Sequence, residues 1–234
     1  STDNVTVLVN QVLPLAVIQQ PGILTCTTKQ ITLNTTGSSG GGNISYVWTT
    51  IGGNFVNQTD PLQPVVNGPG NYTLLVTDNI NGCTQSANVQ VTQNIQNPTA
   101  SAGSDGTLTC AVTSLQLNGT GSSQNGCTYL WSGSSGQVIN NPTTLTPGIT
   151  AGGTYTITVT NTANGCTSTD NVLVNVDTQQ PAAVIATPSQ ITCVALQVTL
   201  NGSGSQPGPN ISYTWSTQTG NILSGQNSNQ AVVN

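Results

Sequence analysis

Short stretches of alternating apolar and polar residues run through the whole chain. Ile31 and Leu33 alternate with polar neighbours, as do Leu115 and Leu117, and longer runs such as 72–76 and 155–159 do the same. A period of two with many β-branched residues is typical of half-buried strands, and no helical length shows a 3.6-residue period. Glycine-rich segments between these runs indicate turns. The pattern predicts an all-β protein built of β-sandwiches.

The strand pattern repeats along the chain every 83 or 84 residues. A Leu/Ile-Thr-Cys triplet ends at Cys26, Cys110 and Cys193, and an Asn-Gly-Cys triplet ends at the matching positions Cys83 and Cys166. A further Asn-Gly-Cys triplet ends at Cys127, outside the repeat frame. A Tyr-x-Trp triplet ends at Trp48, Trp131 and Trp215. We therefore expect tandem domains: the last strand of a preceding repeat over 1–12, full repeats over 13–95 and 96–178, and a truncated repeat over 179–234. This organisation suggests a segment of a longer array arranged as an extended rod.

Charge is almost absent from the chain. Only 3% of the 234 residues are charged, with six acidic residues, one basic residue (Lys29) and no histidine. Such a chain cannot neutralise a phosphate backbone, so nucleic-acid binding is excluded. Histidine-based triads and histidine metal sites are excluded as well. No apolar run is long enough for a membrane span.

The six cysteines favour structural disulfides in an oxidising compartment, because zinc-ligand spacing is absent. Matching positions in the repeat predict two disulfides within repeats, Cys26–Cys83 and Cys110–Cys166. Cys193 is then expected to pair beyond residue 234. Cys127 has no counterpart in the other repeats and is predicted to be the one cysteine without a partner in its own repeat. It is either an inert thiol or a crosslink between chains.

The second repeat resembles the PKD-like domain. The resemblance rests on 98–109, 117–123, Tyr129-Leu130-Trp131 and 155–160. The combined cysteine triplets are similar to repeats in very large surface adhesins of gliding Bacteroidota-type bacteria, which are exported by type IX secretion. The resemblance implies a seven-stranded, immunoglobulin-like sandwich in a cell-surface stalk or filament.

The aromatic residues that recur in each repeat are the predicted core. They are Trp48, Trp131, Trp215, Tyr72 and Tyr155.

Few residues are candidates for catalysis or metal binding. Lys29 could serve as a nucleophile or form an isopeptide bond with help from Asp60 or Asp78, but an unpaired strand lysine is the simpler interpretation. The recurring Asp3 and Asp170, with Asp105 and Asp177, leave weak calcium binding at the repeat junctions open, but calcium usually takes several carboxylates, so turn and strand-edge roles are the simpler interpretation. We expect no metal and no cofactor.

The sequence therefore predicts a non-enzymatic, extracellular structural module on a bacterial cell surface. Its expected partners are neighbouring repeats of the same chain, with lateral self-association into filaments as a further option. Two alternatives remain open. One is a glycan- or surface-binding module that uses loops 37–43 and 121–127. The other is a spacer in a secreted hydrolase whose catalytic domain lies elsewhere.

Overall fold

A computed structural model describes residues 2–134 and 137–234, and it contains strands and turns but no helix in these residues. Ser1, the first residue of the predicted strand over 1–12, lies outside the described residues, as do Ser135 and Gly136. The structure is all-β, as the alternation predicted. Two compact units can be distinguished. One comprises the described residues up to Gly106 together with Ser114–Asn175, and the other comprises Thr107–Thr113 with Val176–Asn234.

The first repeat folds as a sandwich of two three-stranded sheets with orders β3-β6-β7 and β2-β5-β4. A short parallel pair, β1 with β8, lies beside them and joins the beginning of the repeat to its end. The strands are β1 (Leu24–Thr25), β2 (Ile31–Thr32), β3 (Ile44–Ile51), β4 (Phe55–Asn57), β5 (Val65–Val66), β6 (Gly70–Asp78), β7 (Thr84–Val91) and β8 (Gln93–Asn94).

The second repeat has the same plan, with sheet orders β11-β14-β15-β9 and β10-β13-β12. The strands are β9 (Gly106–Thr109), β10 (Leu115–Gln116), β11 (Cys127–Gly133), β12 (Ile139–Asn140), β13 (Gly148–Ile149), β14 (Gly153–Asn161) and β15 (Thr167–Asp177). Inward positions of β14 alternate as predicted, because Tyr155, Ile157 and Val159 are fully buried.

The third repeat contributes one three-stranded sheet of order β16-β18-β17. Its strands are β16 (Val198–Asn201), β17 (Ile222–Ser224) and β18 (Gln230–Val233). This sheet corresponds to β2-β5-β4 and β10-β13-β12 of the preceding repeats.

The segment 2–12 differs from the sequence-based expectation, since none of its residues forms a strand. Val5, Val7 and Val9 are 73–90% exposed. The counterparts of Val5 and Val7 in the first repeat, Val89 and Val91, are buried because β7 pairs with β6 along its whole length. The alternation in 2–12 is that of a strand, but no described strand is hydrogen-bonded to it.

The core of the first repeat is formed by side chains from both sheets. It comprises Leu24, Leu33, Trp48, Val66, Tyr72, Leu74, Val76, Val89 and Val91. Phe55 packs edge-on between Trp48 and Tyr72, with ring centroids 6.3 and 5.1 Å away. Burial of this apolar surface is the main favourable term for the sandwich.

Candidate functional site at the junction of two repeats

A tight turn precedes the last strand of the second repeat, and it carries Cys166. The Gly165 N–H donates to Asn161 O at 2.8 Å, and the Asn161 N–H donates to Cys166 O at 2.9 Å. Oδ1 of Asn164 accepts the Cys166 N–H at 2.9 Å. Gly165 has φ +70°, a conformation that glycine adopts without steric cost. We call residues 161–166 the Asn-Gly-Cys turn of the second repeat; its counterpart in the first repeat is 78–83.

A second turn follows β1 and carries Cys26. The Thr25 N–H donates to Thr28 O at 2.9 Å, and Thr25 Oγ1 accepts the N–H groups of Thr27 and Thr28 at 3.3 and 2.9 Å. Leu24, which is 4% exposed, anchors this turn in the core of the first repeat. We call residues 24–28 the Thr-Cys turn; its counterparts are 108–112 and 191–195.

These two turns meet, and a disulfide joins Cys26 to Cys166 with a Cα–Cα separation of 5.0 Å. The bond closes a sequence separation of 140 residues and links the first repeat to the second. The Cys26 N–H also donates to Asn164 O at 3.1 Å. The junction is therefore both covalent and hydrogen-bonded.

The side chain of Asn164 ties the Asn-Gly-Cys turn to the end of the first repeat. Its Nδ2 donates to Asn94 Oδ1 at 3.0 Å and to Gln96 O at 2.9 Å. Asn164 and Cys166 are each 1% exposed. A buried amide with all its donors paired stabilises a defined geometry, whereas an unpaired one costs about 1–3 kcal/mol.

Packing at the junction leaves no room for a side chain at position 165. An added Cβ on Gly165 would overlap Thr27 Cγ2 and lie 3.2 Å from Thr27 Cβ. Glycine is required here for two reasons, its positive φ and the close approach of the Thr-Cys turn.

The observed disulfide corrects the pairing expected from the sequence. Cys26 is bonded to Cys166, so Cys26–Cys83 and Cys110–Cys166 do not form. For Cys26–Cys83 the reason is the length of β7, and Cys110–Cys166 is excluded because Cys166 is already bonded to Cys26. Cys83 immediately precedes this eight-residue strand, whereas Cys26 follows β1, which pairs with β8 just beyond the other end of β7. Eight residues span about 26 Å, far more than the ~7 Å limit between Cα atoms for a disulfide.

Four cysteines are outside disulfides in the described part of the chain: Cys83, Cys110, Cys127 and Cys193. Cys127 is half-buried at the start of β11, with Sγ 3.7 Å from Asn125 O. The expectation that Cys127 alone lacks a partner in its own repeat is wrong, because the one bond present joins two repeats. Cys193 is exposed.

The recurring aromatic residues occupy related but unequal environments. Trp48 and Trp131 are 9% and 2% exposed, and their Nε1–H groups donate to Pro61 O at 2.8 Å and Thr144 O at 3.0 Å. Trp215 makes the same bond, to Ser228 O at 2.8 Å, but it is only half-buried. Residues 211–217 form no strand, and cavities of about 240 and 280 Å³ contact the indole. The sequence predicted that Trp215 fills a core, and this prediction is wrong because the indole is only half-buried.

Tyr72 and Tyr155 are both fully buried. The hydroxyl of each donates to a carbonyl four residues upstream, to Gly68 O at 2.7 Å and to Ala151 O at 2.6 Å. This is the tyrosine-corner arrangement found in immunoglobulin-like sandwiches. Burial raises the pKa of the Tyr155 hydroxyl.

The sequence suggested several lysine and aspartate side chains for catalysis or metal binding. In the structure these side chains either hold the backbone in place or lie apart from other candidate groups. Lys29 is exposed. Asp170 Oδ2 accepts the Ala102 N–H at 2.8 Å, and Asp105 Oδ1 accepts the Leu173 N–H at 2.9 Å, so both carboxylates hold the start of the second repeat against its last strand. Among the described residues there is no group of three His, Cys, Asp or Glu side chains that could hold a metal ion. Nor does any helix suited to crossing a membrane occur in that part of the chain.

The sandwich and its tyrosine corner define a class of protein, the tandem PKD- or immunoglobulin-like domains. Within it, residues 102–176 match the family model described as K319L-like, PKD domain. No curated protein matches the chain at a significant level.

Solved structures that match the chain include three examples. Drosophila OTK extracellular domains 3–5 are 17% identical, with 70% of this chain and 62% of that chain covered and a TM-score of 0.36. The PKD domain from the KIAA 1837 protein is 28% identical over 35% of this chain and 89% of that chain, with a TM-score of 0.28. The titin I-band fragment I67–I69 is 13% identical over 96% and 88%, with a TM-score of 0.38.

Proposed function

We propose that this chain is a structural repeat region, a stalk or filament, of a secreted bacterial cell-surface adhesin, and that it performs no catalysis. The observation that carries the proposal is the junction itself. Successive repeats are joined by the Cys26–Cys166 bond and by hydrogen bonds from Asn164, rather than by a flexible linker. These connections restrict the separation of the two repeats, which favours a load-bearing role.

The disulfide determines the path that a pulling force takes. Tension applied to the two ends enters the Thr-Cys turn at Cys26, crosses the disulfide and leaves through β15, which begins directly after Cys166. The strands β2–β14 lie inside the bypassed segment. Both sheets of the first repeat and strands β9–β14 of the second therefore lie off the covalent load path, whereas β15 lies on it.

The chemistry of the chain is consistent with an extracellular location. Disulfides persist in oxidising compartments. The resemblance of the cysteine triplets to repeats of Bacteroidota-type surface adhesins supports a bacterial cell surface and export by type IX secretion. Neighbouring repeats of the same chain are the partners that the junction provides.

The structure of loops 37–43 and 121–127 gives less support to the alternative that the chain is a glycan- or surface-binding module. The aromatic side chains beside them, Tyr46 and Tyr129, donate their hydroxyls to loop carbonyls at Ser39 (2.6 Å) and Ser123 (3.0 Å). These tyrosines therefore brace the loops. A spacer in a secreted hydrolase would respond to a pulling force in the same way as a stalk. The two alternatives differ in whether the rest of the protein includes a catalytic domain.

Single-molecule stretching of the protein by its two ends tests the mechanical role. The bypassed 140 residues correspond to about 490 Å of extended chain at ~3.5 Å per residue. Full extension of the oxidised protein should be shorter than that of the reduced protein by this amount. Cys127→Ser is the matched control and should retain the full difference.

Two results would count against the proposal. If the oxidised protein releases the same length as the reduced one, the junction does not carry load. If a glycan array shows saturable binding that substitutions in 37–43 or 121–127 abolish, the chain is a binding module.

A further inference from the structure

The Thr-Cys turn that carries Cys26 is built in the same way at Cys110 and Cys193. The Thr109 N–H donates to Val112 O at 2.9 Å, and the Thr192 N–H donates to Ala195 O at 2.9 Å. The threonine Oγ1 accepts two following N–H groups in each copy, at 3.2 and 3.0 Å for Thr109 and at 3.4 and 3.1 Å for Thr192. In the bonded copy the same turn presents Cys26 to the following repeat.

The Asn-Gly-Cys turn of the first repeat likewise reproduces that of the second. The Gly82 N–H donates to Asp78 O at 2.8 Å, and Asn81 Oδ1 accepts the Cys83 N–H at 2.9 Å. Gly82 has φ +74°, close to the +70° of Gly165. Cys83 is therefore held as Cys166 is held.

An independent contact shows that the turn at Cys83 is already docked on the segment before its own repeat. Asn81 Nδ2 donates to Asn10 Oδ1 at 3.2 Å and to Val12 O at 2.9 Å. These bonds match those from Asn164 to Asn94 Oδ1 and Gln96 O, because 10 and 12 correspond to 94 and 96 in the repeat. Asp177 occupies the same position at the end of the second repeat that Asn94 occupies at the end of the first. Its side-chain oxygen could accept the same bond from the asparagine of the next Asn-Gly-Cys turn.

The environments of the two Asn-Gly-Cys turns differ only where a Thr-Cys turn covers one of them. Asn164 and Cys166 are 1% exposed, whereas Asn81 and Cys83 are half-buried. A Cβ on Gly165 would overlap Thr27, whereas a Cβ on Gly82 would meet nothing within 4 Å. The surface at 81–83 thus has the shape and hydrogen bonds that a Thr-Cys turn fits.

We infer that Cys83 and Cys110 are the two halves of a repeating inter-repeat crosslink, each specific for the complementary turn of a repeat of this same type. Cys110 forms its disulfide with the cysteine in the Asn-Gly-Cys turn of the following repeat. Cys83 forms its disulfide with the cysteine in the Thr-Cys turn of the preceding repeat. Cys193 belongs to the same series as Cys110. The inference deepens the proposed stalk function and rests on it for its biological meaning, but its chemistry is tested separately.

Each crosslink forms by two thiol–disulfide exchanges with a small-molecule disulfide as oxidant. The Cys110 thiolate attacks the oxidant and releases one thiol, which leaves a mixed disulfide. The thiolate of the partner cysteine then attacks the Cys110 sulfur and releases the second thiol. The oxidant takes up both electrons, and the two protons lost by the cysteines end on the two released thiols.

The test for Cys110 is the full chain extended after Asn234 by a second copy of residues 151–178. This copy continues the third repeat from the position that corresponds to Asn234 and supplies one new Asn-Gly-Cys turn. After oxidation with oxidised glutathione and alkylation, chymotryptic mapping should show Cys110 joined to the cysteine of the appended copy. The alkylated Cys110 peptide should disappear, and Cys26–Cys166 should be unchanged. The matched control has serine in place of the appended cysteine and should keep Cys110 alkylated.

A second chain tests Cys83 in the same way. It carries residues 96–167 before Ser1, with Cys127 and Cys166 of that copy replaced by serine, and the Cys110 of the copy should bond to Cys83. The inference is overturned for either site if its cysteine remains alkylated, or if the added cysteine bonds within its own repeat. Either failure leaves the stretching result at Cys26–Cys166 intact, so the stalk proposal is judged separately.

Discussion

Replacing Gly165 with alanine should weaken the junction between the first two repeats, and Gly82 offers a matched control in the same turn type. Both glycines have nearly the same positive φ, +70° and +74°. Alanine therefore meets a similar backbone penalty of about 1–2 kcal/mol at either site. Only at Gly165 does the new methyl group also collide with Thr27.

The size of the effect follows from that collision. An added Cβ would overlap Thr27 Cγ2, lie 3.0 Å from Thr27 Oγ1 and lie 3.2 Å from Thr27 Cβ, so it crowds both branches of the threonine and the carbon that bears them. Forcing an extra methyl group into a packed site costs roughly 1–3 kcal/mol. At 1.4 kcal/mol per factor of ten, the equilibrium constant for closing Cys26–Cys166 should fall by about 5- to 150-fold.

The assay is the thiol–disulfide equilibrium of Cys26 and Cys166 in glutathione buffers, read by alkylation and mass spectrometry. Gly165→Ala should require more oxidising conditions, whereas Gly82→Ala should leave this equilibrium unchanged. Adding Thr27→Ala to Gly165→Ala removes Cγ2 and Oγ1 and should restore most of the loss. Equal effects of the two alanine variants, or no recovery with Thr27→Ala, would refute the packing argument.

Three further predictions concern single side chains. Trp131→Ala should lower the free energy of unfolding of the second repeat by about 3–5 kcal/mol in urea titrations, because the indole is 2% exposed; a loss under 1 kcal/mol would contradict a core position. Tyr155→Phe should cost about 1 kcal/mol in the same titration through the lost bond to Ala151 O, and an unchanged midpoint would show that the bond contributes nothing. Asn164→Ala should shift the Cys26–Cys166 thiol–disulfide equilibrium toward the thiols by about tenfold, since it removes the bonds to Asn94 and Gln96, whereas Asn81→Ala should not shift it.

The strand pattern and the buried residues were accessible from the sequence because alternation reports directly on which side chains face inward. Residues 155–159 of β14 and the β-sandwich class illustrate this, since Tyr155, Ile157 and Val159 are all buried. The segment 2–12 shows the limit. Its alternation is equally clear, but a strand also requires a hydrogen-bonding neighbour, and a local pattern does not contain that information.

The disulfide could not be assigned from the repeat alone. Both cysteine triplets recur every 83 or 84 residues, so a bond within a repeat and a bond to the next repeat join the same two turn types. A usable signal was present, however. Cys83 stands directly before the predicted last strand of the first repeat, and a strand of that length separates its two ends by far more than a disulfide can span. What the sequence did not show is that Cys26 lies at the far end of that strand, through the parallel pairing of β1 with β8.

The long loop closed by the Cys26–Cys166 bond also affects how the chain responds to proteases. A backbone cut anywhere between these two cysteines leaves both fragments attached through sulfur, so the molecule stays in one covalent piece. Lys29 is the only lysine or arginine in the chain, and it lies inside this loop, three residues after Cys26. Cleavage after Lys29 by a trypsin-like enzyme would therefore nick the protein without severing it. A tether of this kind keeps its ends connected after damage that would divide an ordinary linear chain.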